Sequence, residues 1–328
     1  MDQFILFIRG LSNQSLLYLS VCSGALLWGI SNVCQSKILR NLPPEEQDKM
    51  VDFVVVTMSF GTAIFCLLFQ IYWFGFHIPQ IGNKFWIAAG ITGVLNVGVQ
   101  YWATKSKALE DVSIVAPLSA TMPAWLIIFS GILLNEWPTV YGRYGIALVA
   151  IGAYTLNLRG TSVEIPLWMK KLLSDSVYKT SIFFFAPWIR LWSSKGARLA
   201  LLTAYLGAIA INFDAISARA SNPMVAETSA FTITGLCIYL YSKKIGRWDR
   251  IDKKHCKKIF GLGLMMGMSN ILMSAGFYFG IVPYVGTLKR TQILWTVVFA
   301  GLFLKEKHKL LKLIGALIIF IGALLLAF

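Results

Sequence analysis

The sequence contains ten apolar stretches of about 20 residues, the length at which an α-helix crosses the ~30 Å hydrocarbon core of a bilayer. The stretches are continuously apolar and lack the alternation of barrel strands, so they predict helices. Only 14% of the residues are charged, against roughly one quarter in a soluble domain. The sequence therefore predicts an all-α integral membrane protein with ten transmembrane helices. The predicted spans are approximately 16–37, 51–74, 85–104, 112–134, 138–158, 199–219, 223–242, 259–280, 283–304 and 310–328.

The basic residues are concentrated on one side of this predicted topology. The loops that follow the odd-numbered spans hold 24 of the 30 Lys and Arg residues. Because cytoplasmic loops of membrane proteins are enriched in Lys and Arg, we expect these loops in the cytoplasm and both termini outside. Orientation therefore explains the net charge of +15, and the grouping by loop does not indicate a nucleic-acid partner.

The two halves of the chain resemble each other. A shift of 170 residues aligns "LSATMPAWLIIFSGILLNEW" with "LKRTQILWTVVFAGLFLKEK", so that Thr121 matches Thr291 and Glu136 matches Glu306. Transporters are often built from such internal repeats. Since each half has five predicted spans, an odd number, the two halves must lie in opposite orientations. The fold class expected is two inverted five-helix repeats.

The segment between the repeats, residues 159–198, has a different composition. Its aromatic residues alternate with basic ones, and Pro166 and Pro187 divide it into pieces too short to cross a bilayer. Cations near the lipid headgroups and aromatic rings at the acyl boundary are typical of a helix that lies in the membrane interface. An interfacial connector is therefore predicted, with a disordered linker as the alternative.

A few ionisable residues lie inside predicted spans, where a charge costs several kcal/mol and usually marks a functional site. Asp214 lies in the sixth span, Glu227 in the seventh, and Lys289 and Arg290 in the ninth. We expect Lys289 and Arg290 to contact a substrate, although a structural ion pair to Asp214 or Glu227 and snorkelling to the membrane surface are alternatives. Asp214 and Glu227 are candidates for coupling protons to a transport cycle.

Uncharged polar and aromatic residues at helical spacing extend this candidate site. Asn96 and Gln100 lie four residues apart on the third span, and Gln292 lies one turn beyond Lys289. Such side chains either line a cavity or form hydrogen bonds between helices. The full set of candidate substrate-binding residues is Lys289, Arg290, Gln292, Asn32, Asn96, Gln100, Tyr101, Asn270 and Trp295.

Other recurring residues are predicted to be structural. Gly263 and Gly267 have the spacing that lets two helices approach closely, and Gly145 and Gly152 are matched by Gly315 and Gly322 in the second half. Glu136 and Glu306 close their spans and are expected to make loop contacts or helix caps. The five cysteines are scattered with no close pair, and His255 beside Cys256 supplies only two ligands of a tetrahedral site. No metal site, disulfide framework or cofactor is therefore predicted.

Several of these motifs resemble the drug/metabolite transporter superfamily, in particular its EamA-like branch of ten-helix transporters. They are the span ends "LLNEW" and "FLKEK", the glycine-spaced spans "GIALVAIGAY" and "GALIIFIGALLLAF", and "GALLWGISNVCQSK" in the first span. The resemblance implies two EamA-like repeats, at residues 16–158 and 199–328. It also implies a central cavity between them, lined by spans one, three, four, six, eight and nine. Superfamily members are commonly described with cytoplasmic termini, opposite to the orientation that the charge distribution predicts.

A narrower resemblance concerns the substrate. In the plastid phosphate-translocator branch an adjacent Lys-Arg on the ninth span binds the phosphate of the substrate, and "LKRTQ" is similar at Lys289 and Arg290. The prediction is a secondary transporter that moves a small polar metabolite, anionic or phosphorylated, by alternating access across a cell membrane. The alternatives are an exporter of amino acids or hydrophobic cations, in which the Lys-Arg pair is structural, and a lipid-modifying membrane enzyme. The sequence predicts no oligomeric state.

Overall fold

The computed structural model describes residues 12–40, 44–75, 81–109, 118–157, 188, 191–192, 194–248, 256–304 and 309–326. Within these ranges the ordered elements are helical, as predicted, and no strand occurs. The interfacial connector predicted at 159–198 lies almost entirely outside the described residues. Glu306 lies outside them as well.

The first half contains five α-helices, which are connected by short segments. The fourth ends at Leu134 and is capped by Asn135, whose backbone adopts the left-handed conformation (φ 55°) and whose amide donates to the carbonyl of Ser130. Asparagine tolerates this conformation better than most residues, so it is a suitable stop signal. The helices are α1 (Asn13–Arg40), α2 (Pro44–Phe74), α3 (Asn83–Leu109), α4 (Met122–Leu134) and α5 (Val140–Asn157).

The second half begins at a capped helix and has one more helix than predicted. The hydroxyl of Ser194 accepts from the amide of Ala197, and Asn222 caps the next helix by accepting from the amide of Val225. These caps satisfy amides that have no partner within the helix. The helices are α6 (Lys195–Ala220), α7 (Pro223–Lys244), α8 (Cys256–Ala275), α9 (Val282–Lys289), α10 (Gln292–Leu304) and α11 (Lys309–Leu325). A 3-10 segment, Gly276–Tyr278, follows α8.

Five of these helical segments are long and apolar enough to cross a membrane by length and composition alone. They lie at Asn13–Gln35, Met50–Phe74, Lys195–Ala220, Pro223–Lys244 and Cys256–Tyr278. A sixth, Met122–Leu134, is apolar but shorter. Many large apolar side chains on these helices are exposed, including Leu68 and Leu240, as expected where a surface faces lipid.

The packing of helices from different halves follows a twofold pattern. Helix α1 packs against α8 and α10, and α6 makes the matching contacts with α3 and α4. Helix α2 packs against α7 and α8, while α7 packs against α2 and α3. When each helix is replaced by its counterpart in the other half, every one of these contacts is converted into another of them; the α1–α8 contact, for example, becomes the α6–α3 contact. This is the arrangement expected of duplicated repeats related by a twofold axis.

Glycines allow the two terminal helices of the repeats, α5 and α11, to cross at backbone distance. A Cβ added to Gly145 would lie 2.7 Å from the carbonyl oxygen of Gly322, and one added to Gly152 would lie 2.8 Å from that of Gly315. Distances below 3 Å leave no room for a side chain. In the same way, a Cβ on Gly263 would lie 2.7 Å from the carbonyl oxygen of Met58. The predicted packing role of these glycines is confirmed.

The predicted ninth span, 283–304, is not one continuous helix. Helix α9 ends at Lys289, and α10 begins at Gln292. The two residues between them, Arg290 and Thr291, form a turn. The hydroxyl of Thr291 donates to the carbonyl of Leu288 at 2.7 Å. Side-chain bonds of this kind compete with the regular hydrogen bonds of a helix, which gives the turn a physical cause.

The same turn occurs at the matching place of the first half. Ala120 and Thr121 form a turn before α4, and the hydroxyl of Thr121 donates to the carbonyl of Leu118 at 2.6 Å. The two threonines occupy equivalent positions in the repeats. The break is therefore a property of the repeat and does not depend on the charges of Lys289 and Arg290.

Candidate functional site

Lys289 and Arg290 lie at the break between α9 and α10. Lys289 is the last residue of α9 and Arg290 is its C-cap, and both side chains are partly buried. The carbonyl end of a helix carries partial negative charge, so cations are favourable there. In a continuous helix, adjacent side chains point about 100° apart around the axis. Because Lys289 and Arg290 lie where the helix ends in a turn, their side chains are not held to that angle.

Lys289 lies near groups that attract a cation. Its ammonium is 4.8 Å from the centre of the Phe277 ring, a distance at which a cation is attracted to the ring face. It also interacts electrostatically with the carboxylates of Asp214 on α6 and Glu227 on α7. Three predicted ionisable site residues, from three different helices, therefore form one cluster.

Asp214 is held by a chain of hydrogen bonds from α3. The hydroxyl of Thr92 donates to a carboxylate oxygen of Asp214, and the amide of Asn96, one turn further along α3, donates to the Thr92 hydroxyl at 3.4 Å. The predicted residue Asn96 therefore belongs to the cluster through Thr92. Because α3 and α6 come from different halves, the chain also connects the two repeats.

Glu227 is held in a similar way by α8. Its side chain is buried, and the hydroxyl of Ser274 donates to one carboxylate oxygen. Asn270 lies one turn before Ser274, and its side-chain nitrogen is buried without a hydrogen-bond partner among the residues that the structure describes. Buried amides are normally paired, so this nitrogen is available to a ligand or to water.

Arg290 differs from Lys289 in its surroundings. Its guanidinium lies against the thioether of Met122 on α4. Its Nε is buried and has no hydrogen-bond partner in the described part of the chain, and no ion pair with a carboxylate is found for it there. A buried guanidinium nitrogen without a hydrogen-bond partner is costly, and in a native protein it needs an explanation.

In the part of the chain that the structure describes, no hydrogen bond, ion pair or ring contact joins the remaining predicted site residues to this cluster. Tyr101 lies near the far end of α3, where its hydroxyl accepts from Nη1 of Arg247 at 3.4 Å. Trp295 stacks on Phe299, with ring centres 6.4 Å apart. The other three are partly buried on α1, α3 and α10; they are Asn32, Gln100 and Gln292.

The sequence did not reveal one buried polar pair between α4 and α6. The hydroxyl of Ser130 donates to the side-chain oxygen of Asn212 at 2.8 Å, and both residues are fully buried. The amide of Asn212 donates in turn to the carbonyl of Ala208. This satisfied pair joins the halves and is a structural contact.

Arg219, which lies in the same predicted sixth span as Asp214, closes one end of the protein. Its Nη1 lies 2.5 Å from Oε1 of Glu136, its Nε donates to the carbonyl of Phe277 at 2.8 Å, and its Nη2 donates to that of Gly280 at 3.1 Å. Oε2 of Glu136 accepts from the amide of Val282 at 2.7 Å. We call these five residues the end network. The predicted loop contact of Glu136 is confirmed.

Apolar packing separates the end network from the charged cluster. Helix α9 runs from Val282 in the network to Lys289 in the cluster, about 10 Å at 1.5 Å per residue. Between them Val285 and Leu288 are fully buried in an apolar cluster that also contains Leu126 of α4. This apolar layer of described residues is a barrier to a polar solute.

Comparison with known proteins gives a family and a fold. The model of a family described as "EamA-like transporter family" matches residues 15–158 and 194–328. A solved structure described as "Crystal structure of protein" is similar with a TM-score of 0.67 and 15% identity, over 95% of this chain and 98% of the other. At that identity the likeness concerns the fold. A search of curated proteins gives no significant match.

Proposed function

Because the chain belongs to the EamA-like transporter family, we propose that it is a secondary transporter that moves a small polar metabolite across the membrane by alternating access. The family consists of transporters and not of enzymes, so the lipid-modifying alternative is set aside. Three structural features support the proposed substrate and mechanism: the charged cluster, the unpaired Nε of Arg290 and the end network.

The substrate is proposed to carry a negative group that binds Arg290. The observation that supports this most is the contrast between the two adjacent cations. Lys289 has two carboxylates nearby, whereas the buried Nε of Arg290 has no hydrogen-bond partner among the described residues. A guanidinium presents a planar set of donors that matches a carboxylate or a phosphate in two parallel hydrogen bonds. An anionic group is therefore the ligand that would satisfy Arg290.

Lys289, Asp214 and Glu227 are proposed to couple transport to protons. The three groups interact electrostatically, so a change of protonation or a bound anion at one of them alters the charge balance of the others. The hydroxyls of Thr92 on α3 and Ser274 on α8 donate to the carboxylates of Asp214 and Glu227, respectively. A proton taken up by either carboxylate would leave Lys289 less neutralised and more attractive to an anion.

Alternating access is proposed to open and close the protein at the end network. This network joins Glu136 of the first repeat to Arg219, Phe277, Gly280 and Val282 of the second. It is closed in this structure, and buried apolar side chains lie beneath it. Release of the network would let the repeats rotate apart at this end, as in other transporters with inverted repeats.

An exporter of amino acids or cations is kept as a second candidate because one observation favours it. Two carboxylates, Asp214 and Glu227, interact with the single ammonium of Lys289. A substrate ammonium could replace Lys289 as their partner, and Lys289 would then be structural. Binding would depend on the carboxylates in this case and would tolerate loss of Arg290.

A thermal-shift screen of the purified protein would distinguish the two candidates. A ligand that binds only the folded state raises its stability, by about 2.7 kcal/mol when its concentration is 100 times its dissociation constant. We expect small phosphorylated or carboxylated metabolites to raise the Tm of the wild type, Arg290→Lys to retain part of the shift, and Arg290→Gln to lose it. Arg143→Gln, which changes an exposed arginine of α5, is the matched control. Stabilisation by amino acids that survives in Arg290→Gln would support the second candidate instead.

A further inference from the structure

An apolar groove of about 430 Å³ lies between α2, α7 and α8, away from the charged cluster. It is formed by the first half of α2, the last turns of α7 and the first turns of α8. Five of its nine lining residues are aromatic, namely Phe53, Phe60, Tyr239, Trp248 and Phe260. The groove is thus located at the end of the protein that carries the loop between α7 and α8, opposite the end network.

The outer wall of the groove belongs to the lipid-facing surface. Leu236, which lines the groove, is 46% exposed, and Leu240, one turn further along α7, is 55% exposed. In a multi-pass membrane protein, large exposed apolar side chains in a membrane-crossing helix contact acyl chains. The groove is therefore accessible to a lipid that diffuses in the bilayer.

Lysines surround the end of the groove. Lys243 and Lys244 finish α7, Lys257 and Lys258 lie in the first turn of α8, and all four are exposed. The ammonium of Lys243 lies 6.0 Å from the centre of the Tyr239 ring, which is part of the groove wall. These four ammonium groups make the rim of the groove positive.

We propose that this groove binds an anionic phospholipid. An acyl chain would lie along the aromatic wall, and the phosphate of the headgroup would meet the ammonium groups of Lys243 and Lys257. The apolar wall is suited to an acyl chain, and the basic rim is suited to an anionic group. An anionic phospholipid has both parts in one molecule. Basic pockets between transmembrane helices bind such headgroups for the same reason.

The proposed lipid would connect the two repeats. Helix α2 belongs to the first repeat, whereas α7 and α8 belong to the second. A chain in the groove would contact Phe53 and Phe60 on one side and Tyr239 and Phe260 on the other. An anionic lipid would therefore stabilise the present arrangement of the repeats, and this role does not depend on the substrate.

The test is a titration of the purified full-length protein in detergent with dioleoyl phosphatidylglycerol, followed by Tm and by native mass spectrometry. Dioleoyl phosphatidylcholine has the same chains without net charge, and glycerol phosphate has the anion without the chains. We expect only phosphatidylglycerol to stabilise the wild type. Each lysine near an anionic lipid surface contributes a factor of roughly five in affinity, so Lys243→Gln combined with Lys257→Gln should weaken binding roughly 25-fold.

Matched variants separate the groove from general effects of charge and bulk. Lys84→Gln removes an exposed lysine at the opposite end and should leave phosphatidylglycerol binding unchanged. Leu236→Trp should obstruct the groove and weaken binding, whereas Leu240→Trp, outside the lining, should not. The proposal is overturned if phosphatidylcholine stabilises the protein equally. It is also overturned if the double lysine variant binds like Lys84→Gln, or if glycerol phosphate alone reproduces the effect.

Discussion

Replacement of Glu136 by glutamine should loosen the closed end of the protein. Glutamine keeps one side-chain oxygen, which can still accept from the amide of Val282, but it removes the negative charge that attracts Arg219. The shape of the side chain is nearly unchanged, so the variant should fold. Its effect should appear in the balance between closed and open states and not in the amount of folded protein.

The magnitude follows from the two bonds that lose their charge. A hydrogen bond to a charged group contributes about 1 kcal/mol more than a neutral one, which applies to the Val282 amide. The Arg219 side chain is 32% exposed, so its ion pair with Glu136 adds only a few tenths of a kcal/mol, as for surface pairs. The sum is about 1.4 kcal/mol, which corresponds to a roughly tenfold larger open population.

The open population can be measured by labelling a cysteine that is buried in the closed state. Thr287 on α9 is fully buried beneath the end network, so Thr287→Cys should react with a membrane-impermeant maleimide only when this end opens. The five native cysteines, all of them free, are replaced first. We expect Glu136→Gln to increase the labelling rate of Thr287→Cys about tenfold.

Two controls make the result interpretable. Val140 lies at the same end and is 61% exposed. Val140→Cys should therefore be labelled at the same rate whether residue 136 is glutamate or glutamine. Arg143→Gln removes a charge at this end outside the network and should leave the labelling of Thr287→Cys unchanged. If Glu136→Gln labels like the parent protein, the network does not hold this end closed and the gating argument is wrong.

Two further predictions concern the packing that joins the repeats. Gly152→Leu should lower the Tm, because even a Cβ there would lie 2.8 Å from the carbonyl oxygen of Gly315, and overpacking of this kind costs about 1–3 kcal/mol or more. Gly90→Ala has no atom within 4 Å of the added Cβ and should be nearly neutral in the same melting assay. Ser130→Ala should cost about 1–3 kcal/mol in denaturant unfolding, because it leaves the buried oxygen of Asn212 without its donor. The exposed Ser23→Ala should change stability little, and equal losses in both serine variants would contradict the assignment.

Much of the fold could be predicted because its signals are local or repeated. Long apolar stretches identify spans, and the odd number of spans in each half requires inversion. The glycines of α5 and α11 were recognisable because their spacing recurs in both halves. The break in the ninth span was not predicted, since "LKRTQILW" contains no Gly or Pro that would interrupt a helix. The paired Thr121 and Thr291 were visible in the alignment, but the hydrogen bonds of their hydroxyls were not.

The candidate site could be predicted only in part for a similar reason. Rarity of charge inside apolar spans was sufficient to single out Lys289, Asp214 and Glu227, which the structure brings together. Which cation is balanced and which is unpaired depends on helices distant in sequence. The contact between Arg290 and Met122 and the role of Arg219 come from such tertiary packing. The contact of Tyr101 with Arg247 also comes from tertiary packing and could not be predicted from its position beside Gln100.

The expected orientation stays a prediction from charge. The lysine-rich segment between α7 and α8 and the end network lie at opposite ends, so the orientation decides which compartment the closed end faces. A reporter that is active only in the cytoplasm, fused to the C-terminus, should be inactive. Activity of that fusion would reverse the assignment and place the closed end in the cytoplasm.

The central claim is that Arg290 binds the negative group of a transported metabolite. The most direct measurement is uptake of a radiolabelled metabolite that stabilises the protein, into liposomes that contain the wild type, Arg290→Gln or Arg143→Gln. We predict saturable uptake by the wild type and Arg143→Gln, and uptake at the level of empty liposomes for a correctly folded Arg290→Gln. Undiminished uptake of the anionic metabolite by Arg290→Gln would contradict the account.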